Sequence, residues 1–257
     1  MNWGHLILVG GLFVGAAVVV ALTGLYVVRR VVPHQVLAPH NDVAGFVYAT
    51  IAVTYAVVLG FVVITVWDQY EEARSNADRE ANDIADLYRL AAWFPDSEQP
   101  KIQQALHDYT RSVVDDEWNA MNRGDAPSPQ TTAALDRMWE LYRQAGQGSM
   151  GQSTAYGDSL DRLQDVGNSR RIRLLESREG IPAILWVGLI AGAVLTVGFA
   201  YGFGVERARS HALMLGTLAA SIALLLFMVF SLNYAFRGDV RVRPEPFQLL
   251  LEQVPVE

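Results

Sequence analysis

The sequence predicts an all-α polytopic membrane protein, with four transmembrane helices and a helical soluble domain inserted between the second and third spans. Two observations predict this fold. Four windows are almost free of charge, and each exceeds the roughly 20 residues that cross a bilayer core. The polar sequence between the second and third windows has helical apolar periodicity. The windows are Leu6–Val28, Val43–Trp67, Ile181–Val205 and Ala212–Phe236.

These windows divide the chain into two hydrophobic hairpins, a polar middle and a tail. The first hairpin is 1–67, and the second is 181–236. Residues 68–180 are predicted to form the soluble domain, and 237–257 the C-terminal tail. No positive segment precedes the first window, and its apolar core is too long for a signal peptide, so we expect it to remain as a span.

The second span continues without a helix breaker into strongly polar sequence. Neither Gly nor Pro occurs between Trp67 and Phe94, and apolar residues recur there at spacings of three or four. We therefore predict one helix from Val43 to Phe94, about 75 Å long at 1.5 Å per residue. Its polar part carries an apolar stripe: Ala73, Ala77, Ala81, Ile84, Tyr88 and Ala91.

Three more helices are predicted in the polar middle. One begins near Glu98 or Pro100, and a second is capped by Ser128 or Thr131. The last, from about 153 to 177, leads to the third span, after a flexible break at 145–152. The apolar stripe of the first of these helices is Ile102, Leu106, Tyr109, Val113 and Trp118.

Charge indicates the environment and the orientation of the chain. The formal net charge of −7 argues against a nucleic-acid partner, which would need a basic face. Nine arginines lie near the span ends on the side of the middle domain, and four lie on the other side. Because cytoplasmic loops carry an excess of basic residues, we expect 68–180 and both termini to be cytoplasmic in a bacterial inner membrane. The nine are Arg74, Arg79, Arg170, Arg171, Arg173, Arg178, Arg237, Arg241 and Arg243, and the four are Arg29, Arg30, Arg207 and Arg209.

A polar stripe follows one face of the second span, at spacings of three or four residues. In a homo-oligomer this face would line a pore for inorganic ions, with an apolar constriction that gates by dewetting and acidic rings that favour cations. The alternative is that the threonines bond to their own helix and the carboxylates lie in the aqueous interface. The stripe is Thr50, Thr54, Val58, Phe61, Thr65, Asp68 and Glu72.

Three glycine pairs in the spans are predicted to allow close helix packing, within one chain or between chains. Each pair has the spacing Gly-x-x-x-Gly, which places two small residues on one helix face. The pairs are Gly11 with Gly15, Gly188 with Gly192, and Gly198 with Gly202.

No catalytic motif, metal site or cofactor is predicted. The chain has no cysteine, and the polar linker residues His34, His40, Asp42, Glu206 and His211 match no recognised ligand spacing. The acidic run 115–117 lacks the alternating ligands and glycine of a calcium loop, so it is predicted to be a solvated helix face. The arginines at 170, 171 and 173 are predicted to pair with the acidic middle or with anionic headgroups.

Two stretches resemble the core signature of the bestrophin-like bacterial membrane proteins, a family catalogued as a domain of unknown function. They are YAVVLGFVVITVWDQYEEA (Tyr55–Ala73) and REANDIADLYRLA (Arg79–Ala91). The resemblance extends from Asp42 to Phe247, and its further matches are Glu117–Trp118, RRIRLL (Arg170–Leu175), IPAILW (Ile181–Trp186) and FRGDVRVRPEPF (Phe236–Phe247).

The family name implies a relation to bestrophins, which are pentameric channels whose second transmembrane helix lines the pore through hydrophobic residues. By that analogy Val58 and Phe61 would form a neck, in agreement with the stripe. The family tends to have Asp and Pro ahead of the Phe-x-Gly step, where this chain has Asn233 and Ala235. A carboxylate role at that position therefore does not carry over.

Two functions remain open from the sequence. The first is a homo-oligomeric ion channel whose second transmembrane helix lines the pore. The alternative is a non-conducting scaffold or sensor, anchored in the lipid bilayer, whose soluble domain binds a protein partner.

Overall fold

The structure is a computed structural model that describes residues 3–146 and 153–254 of the chain. This part contains ten α-helices, one turn of 3-10 helix, one turn of π-helix and no β-strand, which confirms the all-α prediction. The break predicted at 145–152 lies outside the described residues, apart from Ala145 and Gly146. The α-helices are α1 (Trp3–Val31), α2 (His34–Leu37), α3 (Asn41–Ala91), α4 (Gln99–Ser112), α5 (Trp118–Arg123), α6 (Pro129–Ala145), α7 (Thr154–Glu176), α8 (Ala183–Ala200), α9 (Ala208–Leu232) and α10 (Glu245–Gln253).

Within the described residues, four helical segments are long and apolar enough to cross a membrane: α1, the segment His34–Ala91, α8 and α9. The last two differ in their bounds from the predicted spans. Helix α8 ends at Ala200 rather than near Val205, and α9 begins four residues earlier than its apolar window. Hydropathy marks the apolar part of a helix, whereas polar residues can form its first turn.

Helix α3 confirms the prediction of one continuous helix that begins in apolar sequence and ends in polar sequence. Its 51 residues run from Asn41 to Ala91. The backbone N–H groups of the next three residues bond to carbonyls three positions back, which tightens the chain before Pro95. Pro95 disfavours helical geometry at the residue before it, and the helix therefore stops there.

The chain contacts define two compact units. Unit 1 comprises Met1–Asp68 and Gly180–Asn233, and unit 2 comprises Gln69–Glu179 and Tyr234–Glu257. The first division falls inside α3, directly after Asp68. The C-terminal segment was predicted as a separate tail, but its contacts group it with the polar middle.

Unit 1 is built around the packing of α1 against α9, with α8 also on α9. Each helix contributes an alanine to the contact, Ala21 of α1, Ala219 of α9 and Ala200 of α8, and Leu25 and Leu215 pack beside them. Small side chains allow helix axes to approach closely in a membrane protein.

Polar contacts join the two short linkers of unit 1. The Arg29 guanidinium donates to the carbonyl oxygens of Val205 (2.8 Å) and Glu206 (3.1 Å). The Asn41 side chain accepts from the Gly204 N–H at 2.9 Å. Gly204 also lies directly against the backbone of Ala38, where a Cβ atom would clash. These bonds pair backbone groups of the loop between α8 and α9.

Unit 2 has a helical core to which the C-terminal segment contributes. Helix α4 packs on α6 and α10, and α6 packs on α7. Trp118 packs edge-on against Phe236 and is tilted against Phe247, and its indole N–H donates to the Val242 carbonyl at 3.1 Å. The predicted stripe residues of α3 and α4 are all buried in this unit.

Ser128 caps α6, which selects one of the two predicted capping residues. Its side chain accepts a hydrogen bond from the Thr131 N–H at 3.2 Å, and Pro129 occupies the first turn. The Ser153 side chain caps α7 in the same way, through the Tyr156 N–H.

We expect Ser128→Ala to lower the free energy of unfolding by about 1 kcal/mol, because the helix then loses its N-terminal acceptor. Chemical denaturation of the full-length protein in detergent measures this loss. The exposed Ser97 gives the control, since Ser97→Ala should change the free energy by less than about 0.5 kcal/mol. Equal effects of the two substitutions would contradict the capping role.

Candidate functional site

The predicted polar stripe lies on an uncovered face of α3. All seven stripe residues are exposed in the single chain, including Phe61, with 67% of its surface accessible. An adjacent face of the same helix segment is covered by the chain itself, through Tyr55, Leu59, Val62 and Val66. Helix α3 therefore presents hydroxyls, rings and carboxylates away from its own protomer.

The threonine hydroxyls of the stripe donate to their own helix. Thr50, Thr54 and Thr65 bond to the carbonyl oxygens of Phe46 (3.2 Å), Thr50 (2.8 Å) and Phe61 (2.9 Å). The alternative interpretation of the stripe predicted this bonding of the threonines to their own helix. With the donor used in this way, each hydroxyl oxygen presents only acceptor lone pairs to its surroundings.

The two carboxylates of the stripe follow the apolar part of α3. Asp68 and Glu72 are both exposed, and a spacing of four residues places them on one face, one turn apart. Glu72 also has an acidic neighbour on another helix, Glu176, the last residue of α7. Burial, together with the charge of Glu72, raises the pKa of Glu176 to about 7.

The predicted glycine pairs have different surroundings within the chain. A Cβ atom at Gly192 would strike the Tyr55 ring, so this glycine allows α3 and α8 to approach. Gly202 lies near the Phe199 carbonyl of its own turn, and Gly198 lines an apolar cavity of about 310 Å³ between α1, α8 and α9. A Cβ atom would meet nothing within 4 Å at Gly198, and likewise nothing at Gly11, Gly15 and Gly188. Packing between copies of the chain stays a prediction for these four.

Within the described part of the transmembrane helices, sequence reasoning missed two glycines with close neighbours. A Cβ atom at Gly10 would lie 2.8 Å from the Phe227 ring, and one at Gly24 would strike the Tyr201 hydroxyl. Gly10 is not part of the predicted pair because it precedes Gly11 by one residue and therefore faces a different side of α1. Contact with a bulky residue on another helix cannot be read from the spacing of small residues.

The acidic run at 115–117 is not a solvated helix face throughout, which corrects the prediction. Asp115 and Asp116 are exposed, but Glu117 is fully buried. Residues Val113–Glu117 form a π-helical turn at the end of α4. The Glu117 carboxylate lies between two arginines of α7, Arg170 and Arg173, both of which bond to it.

Arg173 is the centre of a buried ionic network in unit 2. It donates to both Glu80 carboxylate oxygens, at 2.7 and 2.9 Å, and to Glu117 at 3.0 Å. All three side chains have no accessible surface. Burial would lower the pKa of Arg173, but the two carboxylates outweigh burial and raise it, so the guanidinium stays charged.

Neutral groups complete the network. The Tyr109 hydroxyl donates to Glu80 at 2.7 Å, and Arg170 donates to the Thr132 hydroxyl at 2.9 Å. The Arg173 guanidinium also lies 5.1 Å from the centre of the Trp118 ring. Arg170 and Arg173 thus pair with the acidic middle as predicted, whereas the Arg171 guanidinium donates to the Asn168 amide oxygen.

Asn233 stands at the position where the family that the sequence resembles tends to have Asp. Its amide oxygen accepts a hydrogen bond from the Ile181 N–H at 2.9 Å, in a buried setting. The amide oxygen can therefore serve as an acceptor for a backbone N–H ahead of α8 without a negative charge.

The described residues contain no group of three or more acidic or histidine side chains placed to hold a metal ion. His211, one of the linker residues considered above, is buried with both ring nitrogens in contact. One faces the Arg29 guanidinium at 3.3 Å and the other the Ala200 carbonyl at 3.0 Å. This histidine therefore belongs to the contacts that join the linkers.

Comparison with known proteins shows one family and one fold. The family model for the Bestrophin-like domain matches residues 15–247. No curated protein sequence matches the chain. Among solved structures, a bacterial bestrophin homologue from Klebsiella pneumoniae, in a single-residue variant, aligns with a TM-score of 0.72 at 12% identity, over 95% of this chain and 96% of that chain. A second crystal structure of this homologue, solved by Zn-SAD phasing, aligns with a TM-score of 0.70 at 10% identity, over 94% of this chain and 98% of that chain.

Proposed function

Because the chain belongs to the Bestrophin-like family, we propose that it is a homo-oligomeric ion channel of a bacterial inner membrane, with copies of α3 around the pore. The soluble domain, 68–180, and both termini face the cytoplasm. A pentamer is the arrangement that the family resemblance suggests. The two hydrophobic hairpins, 1–67 and 181–236, anchor the assembly in the bilayer.

The observation that carries this proposal is the uncovered stripe on α3. Its hydroxyls and carboxylates are exposed in the single chain, while Leu59 and Val66 on an adjacent face are buried by the chain itself. Polar side chains in a membrane helix are costly when they face lipid and usually face other helices or a water-filled path. Association of several copies through this face would place the stripe around such a path.

The order of residues along the stripe suits conduction. Threonine oxygens whose donors are already used offer acceptors to a passing cation. Val58 and Phe61 supply an apolar neck at which water is excluded until the pore widens. Asp68 and Glu72 then form rings of negative charge that raise the local concentration of cations.

Purified full-length protein in planar bilayers tests the proposal. We expect discrete current steps, and we expect native mass spectrometry of the detergent-solubilised protein to show several copies per particle. A monomeric particle together with silent bilayers would reject the channel. That combination would favour the alternative of a non-conducting scaffold or sensor.

We expect the double substitution Asp68→Asn and Glu72→Gln to reduce the preference for cations over anions. Each carboxylate attracts a cation at about 4 Å by about 1 kcal/mol in water, so its loss reduces the permeability ratio by roughly fivefold. Reversal potentials under a salt gradient measure this ratio.

Glu71 provides the matched control for this substitution. It is adjacent to Glu72 in sequence but lies off the stripe. Its carboxylate oxygen Oε1 is 3.9 Å from the guanidinium nitrogen Nη1 of Arg74 on the same helix. Glu71→Gln should leave the permeability ratio unchanged within error. An equal cation-to-anion permeability ratio in the double variant and the wild type would show that Asp68 and Glu72 do not determine ion selectivity.

A further inference from the structure

Glu176 occupies a position that disfavours a negative charge. It is the last residue of α7, at the negative end of the helix dipole. Its side chain is also partly buried, and burial penalises the charged form of a carboxyl group. Both effects favour the protonated form, which has no net charge.

The buried amide of Asn76 contacts this carboxyl group. Asn76 is only 1% exposed, and its side-chain nitrogen donates to the Ser169 carbonyl at 2.9 Å and to a Glu176 oxygen at 3.5 Å. No donor among the described residues reaches its buried side-chain oxygen. A protonated Glu176 carries an O–H donor, which a carboxylate lacks.

The charged groups around Glu176 are mixed in sign. Glu72 of α3 and Glu179, which follows α7, both disfavour a second negative charge, whereas Arg79 of α3 and the Asn76 amide favour it. The balance raises the pKa of Glu176 to about 7, with burial as the largest cause and Glu72 as the next. Its charge therefore changes within the neutral range of pH.

We propose that Glu176 and Glu72 form a proton-binding site that sets the negative charge beside the carboxylate end of the stripe. Acidification places one proton on Glu176. The negative field that attracts cations near Glu72 is thereby weakened. The link to conduction rests on the proposed function, whereas the proton site rests on the geometry of unit 2.

The pH dependence of conductance tests this site in planar bilayers at low ionic strength. We expect cation conductance in the wild type to fall by about twofold from about pH 8 to about pH 6, with an inflection near the pKa of Glu176. Glu176→Gln should abolish the inflection. Glu72→Gln should move it to lower pH, because the neighbouring negative charge is gone. The control Glu71→Gln should leave it in place.

Infrared difference spectroscopy over the same pH range gives a readout that does not need conduction. We expect a protonated carboxyl band to appear near neutral pH in the wild type and to be absent in Glu176→Gln. A band that appears only in the ordinary carboxyl range, near about pH 4, overturns the proton site. Silent bilayers with a neutral-range band overturn the channel and keep the site. A neutral-range band with conductance independent of pH overturns the link between them.

If Glu176→Gln does not fold, the protonated carboxyl band is measured in Glu72→Gln instead. The proposed site requires that the pH midpoint of this band is lower in Glu72→Gln than in the wild type. An unmoved midpoint in that variant overturns the pairing of the two carboxyl groups.

Discussion

Replacing Arg173 by Met should lower the free energy of unfolding by about 3–5 kcal/mol, because the Glu80 carboxylate then stays buried without its cation. Glu117 keeps Arg170 as a partner, whereas Glu80 keeps only the Tyr109 hydroxyl among the described residues. Chemical denaturation of the full-length protein in detergent measures the loss. It should appear as a shift of the transition midpoint, since the surface exposed on unfolding is nearly unchanged.

Two further variants separate the ionic effect from a loss of packing. Arg171→Met removes an exposed arginine from the same helix and should change the free energy by less than about 0.5 kcal/mol. The double variant Arg173→Met with Glu80→Leu removes the stranded charge along with its partner, and it should be more stable than Arg173→Met alone. A double variant no more stable than the single one would show that the arginine acts through its packing on Trp118.

Phe61→Ala should increase single-channel conductance several-fold, because the proposed neck loses its widest apolar side chain and no longer excludes water. The larger ring of Phe61→Trp should have the opposite effect. Single-channel recordings in symmetric salt measure both. This prediction depends on α3 lining the pore and would not hold for a lipid-facing stripe.

Phe230 of α9 provides a matched control, since 64% of its surface is accessible, close to the 67% of Phe61. Phe230→Ala removes an exposed ring of the same size from another transmembrane helix, and conductance should stay at the wild-type value. Equal conductance in Phe61→Ala and the wild type, with channels still present, would place the neck elsewhere.

The helical organisation was predictable from sequence because it depends on local patterns. Helix α3 was predicted as one helix from the absence of breakers between Trp67 and Phe94, and it does continue unbroken to Ala91. The preference of Ser and Thr for a helix N-terminus predicted Ser128 or Thr131 as the cap of α6, and the structure selects Ser128. Stripe spacing likewise identified residues that share one face of α3, a property of a single helix.

Pairing of Arg170 and Arg173 with the acidic middle was one of the predicted alternatives, but the burial of the network and its carboxylates were not predicted, because they depend on which helices meet. A signal for the network was nevertheless present in the sequence. Glu80 follows Ala77 by three residues and precedes Ile84 by four, and Glu117 follows Val113 by four, so both carboxylates stand on apolar stripes. A charged residue at a core position requires a buried partner of opposite charge. Its identity, Arg173, depends on the packing of α7.

Discontinuity of unit 2 has a consequence for how the chain is made. Trp118 packs against Phe236 and Phe247, which the ribosome adds only after the last two spans have been synthesised. At about 5–20 residues per second, several seconds separate the synthesis of Glu179 from that of Phe247. During that interval Trp118 lacks these aromatic neighbours and is available to chaperones. The polar unit can therefore complete its fold only after the second hairpin has been made.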